Sequence, residues 1–186
     1  MTGDLRRRFM EVVAERGLKR GEFTLASGEK SSYFFDLKMV TLSPEGAYLA
    51  GRLVLDVLKD IDIDAVGGLT LGADPIVAAV AAVSYLEGRP IPAFIERGEL
   101  KDHGTQKAIE GYLPQKGGRV AIVEDVITKG GASLKAIGLA EGAGCKVVKV
   151  VALVDRHQGG SDELRRRGYD FTAILHADVQ GELRLD

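Results

Sequence analysis

Residues 120–133 read VAIVEDVITKGGAS. Four apolar residues lead into adjacent carboxylates, Glu124 and Asp125, and a turn rich in glycine and hydroxyl groups follows. An apolar run without polar alternation reads as a strand buried on both faces. In an open parallel sheet, ligands bind beyond the carboxyl ends of the strands, and Glu124 and Asp125 are expected at such an end. Carboxylates there suit the vicinal hydroxyls of a sugar, or a metal ion. Thr128 to Ser133 form a turn into a helix, where exposed N–H groups and the positive end of the helix dipole make an anion site. Gly130 and Gly131 let a phosphate approach the backbone. Either half alone is no more than an acidic strand end or an ordinary helix start. Directly adjacent, they read as a ribose diol on the acids and a 5′-phosphate in the loop. The segment is not a Walker A loop, which needs Gly-Lys-Ser/Thr, nor the Gly-x-Gly-x-x-Gly dinucleotide fingerprint.

Strand and helix patterns alternate on both sides of this stretch. Strands are expected at 65–69, 91–96, 120–124, 146–154 and 171–176, with helices at 75–86 and 131–143. This rhythm predicts an α/β fold with a mainly parallel sheet covered by helices on both faces. Upstream, Leu5, Phe9, Val12 and Val13 fall at helical spacing over 4–15, with Gly17 and Gly21 ending the helix. Residues 23–38 read as two short strands about a Ser27-Gly28 turn. Ser43-Pro44-Glu45 is a helix start, a capping hydroxyl followed by proline and an acid, and that helix should run to about Lys59. Residues 97–118 break the pattern with charges, glycines and a proline; they read as a mobile surface loop with a short hairpin at 108–113.

With 186 residues, one domain spanning 1–186 is expected. Its apolar content of 45% is enough for a core, and a net charge of -2 carries no nucleic-acid footprint. The lone Cys145 excludes an intramolecular disulfide and reads as a small core residue. His157 and His176 belong to no cluster visible in the sequence and receive no role. Residues 1–15 are amphipathic and carry acids, without a secretory h-region, and no apolar run is long enough to span a bilayer. The cytoplasm is the expected location, and no membrane contact is expected.

The 120–133 segment resembles the phosphoribosyl pyrophosphate (PRPP) motif of the type I phosphoribosyltransferases. Four further stretches are similar to the orotate phosphoribosyltransferases in particular. Phe23 to Asp36, FTLASGEKSSYFFD, resembles their N-terminal hood, which here takes in residues 1–40. Residues 68–75, GLTLGADP, resemble the pyrophosphate loop, and Arg97-Gly-Glu-Leu-Lys101-Asp102-His103-Gly104 with Ile109-Glu110-Gly111 resembles the catalytic loop. Val154-Asp155-Arg156 with Gly159-Gly160 resembles the turn that carries an orotate-contacting arginine. These pieces occur in the family's order from Phe23 to about Gly160.

The resemblance implies the type I phosphoribosyltransferase fold. It also implies a reaction of orotate with PRPP giving orotidine 5′-phosphate and pyrophosphate, a step of pyrimidine synthesis. Magnesium would enter on PRPP, with no direct protein ligand. Lys101 and His103 would be catalytic, closing over the departing pyrophosphate with Arg97. Glu124, Asp125, Val126, Ile127, Thr128, Lys129, Gly130, Gly131 and Ala132 would bind PRPP, and Thr70, Leu71, Gly72 and Ala73 its pyrophosphate. Thr128 and Arg156 would contact orotate, with Phe34 or Phe35 stacking the flat ring. For Arg156, an exposed arginine paired with Asp155 is the simpler alternative. A homodimer is implied, with the 97–111 loop reaching the neighbouring site.

The chain departs from the family pattern at several positions. Gly98 stands where a lysine is usual, Ala26 and Gly72 where some relatives have lysines, Lys129 where Thr or Ala is common, and Ala132 where many have Ser. Each charged hydrogen bond lost from a pyrophosphate costs about 1.5–3 kcal/mol. Two alternatives stay open at this point: a non-catalytic PRPP-binding regulator, and a phosphoribosyltransferase for another base. A dinucleotide oxidoreductase is disfavoured because the glycine fingerprint and its downstream acid are absent.

Overall fold

The computed structural model describes residues 2–24, 30–97 and 108–185. The chain begins with α1 (Thr2–Val12), which continues as one π-helical turn over Val13–Gly17. Phe9, Val12 and Val13 are buried, as their spacing predicts. β1 (Leu18–Thr24) follows without a loop and pairs antiparallel with β2 (Lys30–Phe35). The first strand therefore starts five residues earlier than expected. Gly21 does not end the helix; it lies within the strand, where the register shifts between Arg20 and Phe23. The Ser27-Gly28 turn falls outside the described residues.

A short α2 (Lys38–Thr41) precedes α3 (Pro44–Val57). Ser43 caps α3, its hydroxyl accepting from the Gly46 N–H at 3.2 Å, with Pro44 at the first helical position. Next come β3 (Ala65–Gly67), α4 (Asp74–Leu86), β4 (Phe94–Glu96), β5 (Ile109–Gly111), β6 (Arg119–Ile127), α5 (Gly131–Gly142), β7 (Lys146–Asp155), α6 (Gly160–Arg166), β8 (Phe171–Ala177) and β9 (Leu183–Arg184). The main sheet has the order β3-β6-β7-β8-β9. Its first four strands are parallel and β9 closes the edge antiparallel. β4 lies beside β3 through the parallel bridges Val66–Ala93 and Leu69–Glu96.

Pleating sends alternate residues of each central strand into two separate cores. In β6, Ala121 and Val123 join Val66, Val151 and Leu153 under α1, α3 and α4. Val120 and Ile122 join Val150, Ala152 and Ala173 under α5 and α6. This is the doubly covered parallel sheet that the apolar strands predict.

Two strand boundaries differ from the sequence reading in ways that matter for the site. β6 does not end at Glu124. It stays paired with β7 through Val126–Val154 and Ile127–Asp155, so both acids lie inside the last residues of the strand. Residues 109–111 do not fold back locally within 108–113. They pair antiparallel with β4, and the Tyr112 N–H donates to the Ala93 carbonyl at 2.9 Å. The exposed edge of β4 takes this partner because its unpaired backbone groups need one.

Candidate active site

Glu124 is buried in the sheet face beneath α5, and the Ser133 hydroxyl of α5 donates to its Oε2 at 3.1 Å. Burial raises its carboxyl well above the ordinary carboxylate range, and the neighbouring Asp125 charge and hydrogen bond raise it further. Burial thus favours the protonated form of Glu124 beside the Asp125 carboxylate. Asp125 is half-buried; its Oδ1 accepts from the Val126 N–H at 2.7 Å. Its carboxylate also lies against Gly72, where an added Cβ would stand 2.7 Å from Asp125 Cγ.

Gly72 belongs to the 70–74 turn. Thr70 bonds Asp74 there, hydroxyl to Oδ2, at 2.6 Å. The Thr70–Leu71 peptide is cis. Leu71 is exposed, and Ala73 caps α4 without a side-chain acceptor. The turn runs directly into a helix N-terminus facing the acids' end of the sheet, a favourable place for an anion.

The loop after β6 is braced from a distant part of the chain. Gly130 takes the left-handed φ of 79°, and an added Cβ would come 3.1 Å from the Gly160 Cα. The Gly160 N–H donates to the Thr128 carbonyl at 2.8 Å, and the Arg156 N–H donates to the Ile127 carbonyl at 3.1 Å. The two Gly-rich turns therefore pack backbone on backbone. Val126 and Ile127 place their side chains in the cores, while Thr128 is half-buried and Lys129, Gly131 and Ala132 are exposed at the start of α5.

Arg156 is buried rather than exposed, and it turns away from Asp155. Its Nε donates to the Tyr33 hydroxyl at 3.1 Å and its Nη2 to the Ser31 hydroxyl at 3.2 Å, with the guanidinium 4.3 Å from the centre of the Tyr33 ring. A cavity of about 240 Å³ opens beside it, lined by Lys30, Ser31, Tyr33, Arg156 and His157. The cationic, hydroxyl-lined wall fits a small planar acid.

No family model matches the chain. Among curated proteins, the orotate phosphoribosyltransferase of Nostoc sp. is 46% identical over 171 residues, covering 92% of this chain and 82% of its own length. The chain belongs to the orotate phosphoribosyltransferases. Solved structures agree with this membership. A phosphoribosyltransferase from Corynebacterium diphtheriae aligns with TM-score 0.82 and 35% identity, covering 93% of this chain and 96% of its own. The orotate phosphoribosyltransferase of Mycobacterium tuberculosis in complex with PRPP aligns with TM-score 0.77 and 35% identity, covering 92% and 96%. The central sheet and its helices are those of the type I phosphoribosyltransferase fold.

The residues expected from the orotate phosphoribosyltransferase pattern are distributed as follows. Glu124, Asp125, Thr128 to Ala132 and Thr70 to Ala73 meet at the carboxyl ends of β3 and β6, and the 156–160 turn adjoins them, Arg156 through the Ile127 carbonyl and Gly160 through the Thr128 carbonyl. Arg97 is half-buried and pairs with Glu110 across the β4–β5 ribbon at 3.3 Å. Phe35 is buried and meets Tyr33 edge to face at 5.5 Å. Phe34 is 37% exposed on the opposite side of β2, tilted against Phe23. Lys101, His103 and Gly98 lie outside the described residues.

Several residues at the site were not legible beforehand. Ser31 and Tyr33 share a face of β2 with Phe35, a period-two signal that points to one side but not to Arg156. His157 and His176, given no role from the sequence, do cluster. His157 Nε2 lies 2.9 Å from His176 Nδ1, and each of Asp155, His157 and His176 offers a ligand atom within 4.8 Å of the others. No sequence spacing announces this, because the pairing of β7 with β8 creates it.

Proposed function

We propose that the chain transfers the 5-phosphoribosyl group of PRPP to orotate, giving orotidine 5′-phosphate and pyrophosphate. The observation that carries this reading is the backbone-to-backbone packing of the 128–131 turn on the Arg156–Gly160 turn. It joins an anion-binding loop and a ribose-binding acid pair to an arginine-walled pocket. In the reaction, the bond from the anomeric carbon to a pyrophosphate oxygen breaks and a bond to a ring nitrogen of orotate forms.

Thr128 to Ala132 hold the 5′-phosphate on backbone N–H groups at the start of α5. Asp125 accepts from the ribose hydroxyls, and neutral Glu124 is able to donate as well as accept. The Asp125 carboxylate also faces the positive charge that develops on the sugar as pyrophosphate leaves. The 70–73 turn and Arg97 receive the pyrophosphate. Arg156 meets the orotate carboxylate with its planar fork, while the Tyr33 ring and Ser31 hold that fork in place. Phe34, exposed at the hood, is the aromatic available to the pyrimidine ring; Phe35 serves the core. Lys101 and His103, by the family pattern, neutralise the departing pyrophosphate, and exclusion of water protects PRPP from hydrolysis.

The oxygen-rich donor set at the 70–74 turn and the acids fits a hard cation. Asp125 contributes a half-buried carboxylate against Gly72, and no imidazole or thiol is part of this donor set. Magnesium bound on PRPP would be accommodated beside the Asp125 carboxylate without a direct protein ligand, and it would supply neutralisation of the pyrophosphate charge. The working unit is a single domain whose hood carries Ser31 and Tyr33. A homodimer, in which the 97–111 loop reaches the neighbouring site, completes the reading. No helix among the described residues is long and apolar enough to cross a membrane; we place the protein in the cytoplasm.

Loss of orotate absorbance on mixing the protein with PRPP and magnesium tests the reaction. Turnover is expected in the wild type and a fall of about 100-fold or more in Lys101→Ala. No orotate consumption by the wild type, or turnover only with a purine, overturns the reading.

A further inference from the structure

We propose that Asp155, His157 and His176 form a binding site for a divalent transition metal of the zinc class, separate from the magnesium carried by PRPP. Asp155 and His176 are register partners at the carboxyl ends of β7 and β8, and His157 begins the turn just beyond. Asp155 is fully buried. Its Oδ1 accepts from the His157 N–H at 2.8 Å, which locks the carboxylate plane. Its Oδ2 has no hydrogen-bond partner among the described residues and points at His157 Nδ1, 3.6 Å away. Two ligands on a tetrahedral zinc, with bonds near 2.0–2.1 Å, stand about 3.3 Å apart, so this pair is already close to the spacing of two vertices.

His176 supplies the third donor. All three ligand atoms lie within 4.8 Å of one another, and a rotation of the His176 ring replaces its 2.9 Å contact with His157 Nε2 by a bond to the metal. His157 presents a side chain 55% exposed, so solvent ions reach the site. Arg156, the nearest fixed cation in sequence, directs its charge away onto Tyr33 and Ser31. Two imidazoles and one carboxylate with an open fourth position suit Zn²⁺, Co²⁺ or Ni²⁺ and are poor ligands for Mg²⁺. Because His157 also lines the cavity beside Arg156, the three donors stand next to that pocket.

Co²⁺ added to chelator-treated protein, without PRPP or orotate, reports tetrahedral binding by its visible d–d bands. The wild type is expected to take up one equivalent, to release it to Zn²⁺, and to keep it in excess Mg²⁺. His176→Ala and His157→Ala are each expected to weaken binding by about 100-fold or more, since even outer-shell partners are worth 10- to 100-fold. His157 is exposed, so His157→Ala tests ligation without threatening the fold. A wild type without tetrahedral bands, displacement by Mg²⁺, or unchanged affinity in His157→Ala overturns the proposal.

Discussion

The Asp125 carboxylate lies on the face of Gly72, so closely that a Cβ at position 72 would come within 2.7 Å of its carbon. An apparent weakness of the 70–74 turn, glycine where some relatives carry a lysine, is therefore a packing requirement in this chain. Gly72→Ala must displace Asp125. The expected result is a rise in the PRPP KM and a fall in kcat/KM of about 10- to 100-fold, with little change in Tm. Steady-state kinetics with varied PRPP and a thermal melt check this. Unchanged kinetics would mean that Asp125 moves freely and does not position the ribose.

Gly160 has the corresponding role for the 128–131 turn. A Cβ there would stand 2.5 Å from the Thr128 carbonyl oxygen and 2.6 Å from the Gly130 nitrogen. Gly160→Ala is expected to destabilise the fold by about 1–3 kcal/mol through overpacking. It should also raise the PRPP KM, because it displaces the Thr128 carbonyl and Gly130. Denaturant melts and PRPP titration separate the two effects.

Arg156 holds its orientation through Tyr33 and Ser31, so a lysine in its place keeps the charge and loses the fork. Arg156→Lys is expected to raise the orotate KM by at least tenfold, consistent with about 1.5–3 kcal/mol for a charge-assisted hydrogen bond. The PRPP KM should change little. Tyr33→Phe, which removes one of the two hydroxyl contacts of Arg156, is expected to move the orotate KM in the same direction by a smaller factor.

Glu96 is fully buried on β4, and neither carboxylate oxygen finds a hydrogen-bond partner among the described residues. Burial pushes its carboxyl up from 4.5 to about 8. The folded state then holds a proton that the unfolded chain has released between these two values. This contribution is fully present below pH 4.5 and is lost as pH rises through 8. Glu96→Gln removes the slope. Denaturation from about pH 5 to about pH 8.5 should show the variant gaining on the wild type by up to about 4 kcal/mol at the alkaline end. Parallel curves would show that Glu96 finds a partner.

Much of the architecture was legible in local chemistry. Unalternating apolar strands announced a sheet buried on both faces, and Ser43-Pro44 announced the start of α3. Glu124-Asp125 beside Gly130-Gly131 announced an acid pair running into a glycine turn at a helix start, because strand, acids and loop are contiguous and each acts through its immediate neighbours. Strand ends were less legible. β6 runs on to Ile127 because β7 supplies its hydrogen bonds, and residues 109–111 pair with β4 because that edge needs a partner.

The sequence by itself determined the sheet, the acid pair and the glycine-rich turn after them, since these depend on residues next to one another. Only the tertiary structure decided which groups meet across the chain. It brought Gly160 onto Thr128, Tyr33 onto Arg156, Gly72 onto Asp125, and His176 onto His157. Those contacts are set by strand order and register, and no local propensity encodes which strand becomes the neighbour of which.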